Sequence, residues 1–164
     1  MSSSEDRGKV SVHRASPGDA ATLVALMHDF YAEAGFALNH EWAEASFHAL
    51  LANPSLGSVW LALLGAEPIG HAVLTVRYTM EHGCLSGYID DLYVRPSKRR
   101  NGAGTLLLND LFDDCRLRGC QFAYVEAAAD NVPALALYGS FGLLAGQDNR
   151  VLLAGAIPKP GADS

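Results

Sequence analysis

The sequence predicts a mixed α/β (α+β) domain with a central sheet, and three observations lead there. Apolar residues recur at helical spacing early in the chain, the period shortens to that of strands in its middle, and helix and strand signals alternate towards its end. The order read is β, α, α, a run of strands, then α, β, α, β, a pattern that buries its apolar faces in layers around one sheet.

Each element has a local reason. Residues 1–8 are polar and are expected to form a disordered tail, and Val10 and Val12, either side of Ser11, mark a first strand. Ser16-Pro17-Gly18-Asp19 has the form of a helix start, with Ser16 as N-cap, Pro17 in the first helical position and Asp19 in the third. Leu23, Leu26, Met27, Phe30 and Tyr31 then recur three and four apart, describing one buried helical face that should stop near Gly35. A second amphipathic stretch, residues 40–51 with Trp42, Phe47, Leu50 and Leu51, ends at Asn53-Pro54, where proline cannot continue a helix.

The period then changes. Residues 58–64, a turn at 65–68, and residues 69–78 form a hairpin of two strands, and after a loop containing His82-Gly83 a further strand covers 88–94. A βαβ unit follows: residues 104–117 carry Leu107, Leu108, Leu111, Phe112 and Cys115 on one helical stripe, with Gly119 as C-cap, before a strand at 122–127. A short helix at 133–140 and a last strand at 151–154 complete the order.

At 164 residues the chain is one domain long, since a domain takes roughly 100 to 200 residues. We place that domain at residues 9–157, between tails at 1–8 and 158–164. Hydrophobic residues at 49% and charged residues at 18% exclude a disordered chain. The formal charge of −6 opposes a sequence-independent grip on nucleic acid and favours cationic small molecules. The start, MSSSEDRGK, lacks an apolar leader core, and the apolar stretch at 59–64 is too short to cross a bilayer, so no membrane partner is expected. Cys84, Cys115 and Cys120 are odd in number and form no CxxC pair, which fits a reducing, cytoplasmic location better than a disulfide framework or zinc site.

The chemistry concentrates in residues 94–105, between a strand and a long helix. Lys98, Arg99 and Arg100, the glycines Gly102 and Gly104 around Ala103, and a helix N-terminus build an anion site, because free N–H groups and the helix dipole favour phosphate and glycine lets the backbone approach it. A Walker A ending of Gly-Lys-Ser/Thr is absent, and a GxGxxG reading from Gly102 fails at Leu107, so ATP and NAD lose ground. A solvated cationic loop with a mere turn would use the same residues. Elsewhere His40-Glu41-Trp42-Ala43-Glu44 lacks the second histidine of HExxH, so metal chemistry is not expected, and no GxSxG is present. Cys115 fits a core stripe, and His82 fits an exposed loop as well as the border of a site.

Arg99-x-x-Gly102-x-Gly104 after Asp90-Asp91-Leu92-Tyr93-Val94, followed by Asn131-x-x-Ala134-x-x-x-Tyr138-x-x-Phe141-Gly142, resembles the GCN5-related N-acetyltransferases (GNAT family) over residues 10–155. The Asp-Asp-Leu-Tyr-Val strand and the segment from Asn131 to Tyr138 are further similar to the polyamine (diamine) acetyltransferase branch. The resemblance implies a GNAT fold, a mixed sheet whose split between parallel strands holds acetyl-CoA, with no metal. It implies that Arg99, Arg100, Asn101, Gly102, Ala103, Gly104 and Thr105 hold the pyrophosphate, and that the backbone of Leu92, Tyr93 and Val94 pairs with the pantetheine. Asn131 would hydrogen-bond that arm and the small Ala134 would leave room for it.

The reaction so implied is direct attack by an amine, which must first lose a proton because an alkyl amine has a pKa of ~10.4. Asp90, with Asp91 second, would take the proton and attract the cation; strand-end acids also commonly bind a helix terminus or a lysine. Adjacent strand residues point to opposite faces, so one carboxylate is expected to face the cleft. Tyr138 would donate to the departing thiolate, a role its place in the Asn131 to Gly142 pattern favours over mere packing beside Leu135 and Leu137, and a backbone N–H of residues 92–94 would serve the oxyanion. Tyr31, with Phe30 and Glu33, sits where the fold lines its acceptor pocket. The expected partner is a small-molecule amine; a homodimer could form by strand pairing at the sheet edge. A CoA-binding sensor without catalysis and a nucleotide-binding module are the rival readings.

Overall fold

The computed structural model describes residues 8–146 and 149–161. Apart from Gly8, the expected tail at 1–8 lies outside the described residues, as do positions 162–164 of the C-terminal tail. Among the described residues, five strands and four α-helices run in the order β1 (Val10–Arg14), α1 (Ala20–Glu33), α2 (His40–Ala52), β2 (Gly57–Leu64), β3 (Glu67–Thr79), β4 (Cys84–Val94), α3 (Ala103–Leu117), β5 (Phe122–Val125) and α4 (Val132–Ser140). They form one sheet of order β1-β2-β3-β4-β5, antiparallel through β4 and parallel between β4 and β5. The mixed α/β class is the one the sequence predicts.

The first helix begins later than its signal. Pro17–Asp19 makes a 3₁₀ turn, and the Asp19 carboxylate accepts from the Ser16 N–H at 2.9 Å and from the Ser16 hydroxyl at 3.3 Å, so the capping residues close a turn ahead of α1. At α2, Asn39 supplies the cap, its Oδ1 accepting from the Trp42 N–H at 3.0 Å.

Alternation along the strands divides the core into two layers. Val59, Leu61, Val73 and Tyr93 face α1 and α2, where Leu23, Leu26, Met27 and Phe47 are buried. Trp60, Ala62, Ala72, Leu74 and Ile89 face α3 and α4, meeting Leu107, Leu108, Leu111 and Cys115. Burying each such aliphatic side chain contributes roughly 1.5–3 kcal/mol, so the helical stripe read in α3 is its anchoring face. Burial pushes the Cys115 thiol up to about 12, with neighbouring Cys120 and Asp114 adding to it, as suits a packing thiol rather than an acyl carrier.

A buried polar knot ties the end of α3 to the far strands. Asp114 accepts from Arg118 Nε at 2.7 Å, from Ser58 at 2.9 Å and from Arg14 at 3.2 Å. Arg118 also donates to the carbonyls of Pro54 at 2.7 Å and Gly57 at 3.1 Å.

Two expectations need correction. β4 starts at Cys84 rather than at 88, because Ser86 and Gly87, weak strand formers in isolation, are held by pairing on both sides. A Cβ on Gly87 would lie 2.7 Å from Cys115 Sγ, so α3 approaches the sheet where the side chain is missing. The strand expected at 151–154 does not form: Val151, Leu152 and Leu153 are 78%, 74% and 86% exposed. An apolar run becomes a strand only when it pairs with an edge and buries a face, and residues 151–154 pair with no strand and stay exposed.

Candidate active site

The parallel pair β4 and β5 matches Ser86 with Phe122 through Ile89 with Val125, and pairing stops there. β5 ends at Val125, the partner of Ile89, and the edge of β4 from Asp90 to Val94 is unpaired on that side among the described residues. At the same point β4 gains one residue. Val73 of β3 pairs with Asp91 and Leu74 with Ile89, leaving Asp90 as a β-bulge.

The bulge overturns the expectation that one carboxylate faces the cleft. Asp90 Oδ2 accepts from the Thr75 hydroxyl at 2.5 Å, and Asp91 Oδ2 lies 3.5 Å from His71 Nε2. Thr75 and His71 are four residues apart on β3, so they share a face, and both aspartates point to it. The extra residue shifts the strand by half a pleat and brings two neighbouring side chains to one side.

Two residues read separately from the sequence, Tyr138 and Tyr31, feel the charge of Asp91 in this pair. Tyr138 of α4 is 7% exposed. Burial, and then the charge of Asp91, pushes its phenol up to about 12. Tyr31 of α1 is raised by burial and by the same charge. Burial lifts the Asp90 carboxyl above the usual carboxylate range; the Thr75 hydrogen bond opposes this, and the charges of Asp91 and Glu126 add to it. Tyr88 is raised by burial first and by Glu126 next, while the Arg77 guanidinium over its ring lowers it. A cavity of about 430 Å³ lined by Thr75, Arg77, Tyr88, Tyr124 and Glu126 opens beside Asp90, and Tyr138 lines a larger one of about 1140 Å³.

The anion site lies at the start of α3. Gly102 is the N-cap at φ +85°, Arg100 sits at φ +66°, and Asn101 Oδ1 accepts from the Ala103 N–H at 3.3 Å. Among the described residues the backbone N–H groups of Arg100, Gly102, Gly104 and Thr105 have no partner. Left-handed residues interleaved in a loop turn successive N–H groups into a concave nest, so the donor set fits a pyrophosphate. A Cβ on Gly104 would meet Leu137 at 3.0 Å, so this glycine also lets α4 close on α3.

Other expected cofactor residues are engaged elsewhere. Arg99 donates to the Val94 carbonyl at 2.8 Å, bonds Glu33 of α1 at 2.7 and 2.9 Å, and lies over the Tyr93 ring. It is a strut between β4 and α1, and Val94 O is already used; the outward edge of Leu92 and Tyr93 remains. Asn131 caps α4, its Oδ1 accepting from the Ala134 N–H at 3.3 Å, which leaves its amide nitrogen for a ligand. Ala134 is half-buried against the α3 layer. The sequence reading passed over Thr75, Glu126 and His71. An interior histidine in an otherwise apolar strand was the one available signal.

Among the described residues no group of three or more His, Cys, Asp or Glu is placed to hold a metal, and no helix is long and apolar enough to cross a membrane.

The bulge at the end of the β4–β5 pairing, together with the free N–H groups at the start of α3, gives one domain both a carboxylate cluster and an anion site. The profile of the acetyltransferase (GNAT) family matches residues 23–143, and the chain belongs to that family. It is 39% identical to the integron cassette protein HFX_CASS3 from the mobile metagenome of Cole Harbour Salt Marsh, covering 91% of each chain with a TM-score of 0.79. The fold is shared with the aminoglycoside acetyltransferase HMB0005 from an uncultured soil metagenomic sample, at 24% identity, 92% and 99% coverage and a TM-score of 0.68. It is shared too with the predicted acetyltransferase with acetyl-CoA from Clostridium acetobutylicum, at 23% identity, 89% and 96% coverage and a TM-score of 0.73. No curated protein matches the sequence.

Proposed function

We propose that this acetyltransferase moves the acetyl group of acetyl-CoA to a primary amine of a small cationic acceptor, by direct attack while both substrates are bound. The carrying observation is the bulge at Asp90, which gathers Asp90 and Asp91 on one face of the sheet, with the Asp91 charge reaching Tyr138 of α4. Two carboxylates with Glu126 nearby make a field that draws an ammonium group.

Acetyl-CoA supplies the activated thioester; as the C–N bond forms and the C–S bond breaks, the second proton of the attacking amine passes to the departing sulfur, which leaves as the thiol. The nest at Arg100, Asn101, Gly102, Ala103, Gly104 and Thr105 holds the pyrophosphate, and the edge of Leu92 and Tyr93 aligns the pantetheine as a strand would. Asp90 Oδ receives the proton of the incoming ammonium; its raised carboxyl is a better base at neutral pH than an ordinary aspartate. Tyr138 keeps its proton on Oη. A phenol at about 12 is too weak an acid to protonate a thiolate of pKa ~8.5 fully, so Tyr138 acts chiefly as a hydrogen-bond donor. Tyr31 and Asp91 orient the acceptor.

Polyamines, diamines, aminoglycosides and amino-acid-like amines all fit this field. HMB0005, named an aminoglycoside acetyltransferase, shares the fold and supports including aminoglycosides. The test is kcat/KM for paired amines that differ only in a second ammonium group. We expect the dication to be preferred by about tenfold, the equivalent of 1.4 kcal/mol. Equal rates for both would refute the cationic acceptor.

A further inference from the structure

His71 sits in β3 opposite Tyr93 and is fully buried. Its ring is boxed by aromatic side chains, with centroids 6.5 Å from Phe30, 6.2 Å from Phe47 and 6.1 Å from Tyr93. Nε2 faces Asp91 Oδ2 at 3.5 Å, while Nδ1 is buried without a hydrogen-bond partner. An unpaired buried polar atom costs roughly 1–3 kcal/mol, and a leucine would fill an aromatic box without that cost. A core histidine serving only to pack has no use for this arrangement; what it gains is a donor aimed at Asp91.

The tautomer follows from the surroundings. An ionised carboxylate only accepts, so the proton resides on Nε2 and the bare Nδ1 faces the rings. With Nε2 as the donor, His71 orients Asp91.

We propose that His71 is a positioning residue that holds the Asp91 carboxylate toward the reacting groups. Asp91 is the hub of the site: its charge reaches Tyr138 on α4, Tyr31 on α1 and Asp90 on its own strand, and His71 is the β3 side chain that fixes it. The inference rests on the acetyl-transfer reading given above, and it adds a residue that none of the motifs includes.

The test is a double-mutant cycle on the full chain, with thermal unfolding and acetyl-CoA affinity measured for every variant. His71→Leu should lower kcat by about tenfold or more, with acetyl-CoA affinity and KM for the acetyl donor changed less than threefold. His71→Gln, whose amide nitrogen can stand where Nε2 stands, should recover most of the loss. In an Asp91→Asn background, His71→Leu should cost nothing further.

Full activity in a folded His71→Leu, a Gln variant as poor as Leu, or additive losses in the double variant would each overturn the proposal. Nitrogen NMR of the imidazole gives a readout free of turnover: a protonated Nε2 and bare Nδ1 are expected, and the opposite tautomer would contradict the assignment. Undiminished activity in Asp91→Asn would refute the site reading itself, whereas activity dependent on Asp91 yet indifferent to His71 would refute this proposal alone.

Discussion

Asp90 and Asp91 are consecutive strand residues whose carboxylates occupy the same face of the sheet, one bonded by Thr75 and the other faced by His71. Regular pleating would separate them. The bulge that unites them also marks where β4 leaves β5. One backbone irregularity thus gathers two negative charges at the end of the parallel pairing.

The pH profile should report this arrangement. Asp90 must be ionised to take a proton, so activity falls as pH drops through its pKa, which burial holds above the usual carboxylate range. Thr75 lowers that pKa and Asp91 raises it. Thr75→Val should therefore move the acid limb of kcat/KM to higher pH, and Asp91→Asn should move it to lower pH. Limbs shifting the other way would remove Asp90 as the base.

Tyr138→Phe should reduce kcat by about a hundredfold, the scale of a lost proton donor or hydrogen bond at the leaving group. Acetyl-CoA affinity, measured by calorimetry, should change little. The wild-type phenol, pushed up to about 12, should place no basic limb on the profile below pH 10.

Gly102→Val should weaken acetyl-CoA binding by tenfold or more. At φ +85° a branched side chain costs roughly 1–2 kcal/mol, and relaxation would turn the N–H groups out of the nest. Gly139→Ala, with open space where its Cβ would stand, is the matched control and should bind normally.

Asp114→Ala should cost about 3 kcal/mol or more of stability, read as a lower Tm, because Arg118 loses its partner in a largely buried position. The same loss from the exposed Asp113, paired to Arg116, should be below about 1 kcal/mol.

Helices were legible where a long apolar stripe fixed the register, as with Leu107, Leu108, Leu111 and Cys115, all of which face the sheet. The glycine loop was legible because αL positions and N-terminal N–H groups are local properties. The bulge was not, since an inserted residue shows only in the partner strand's register. Nor was the engagement of Arg99 with Glu33, which depends on how α1 crosses β4. Val151 to Leu153 misled because a β-branched, apolar run predicts a strand whether or not an edge receives it. The knot around Asp114 joins residues about a hundred positions apart, beyond any local pattern.

The most direct test is mass-spectrometric detection of acetylated products after incubation with acetyl-CoA and a pool of polyamines, aminoglycosides, amino acids and peptides, alongside Tyr138→Phe. The account predicts N-acetylated products drawn from the cationic amines, formed by the wild type and strongly reduced in the variant. Firm binding of acetyl-CoA with no acetylated amine, or products formed equally by Tyr138→Phe, would contradict it.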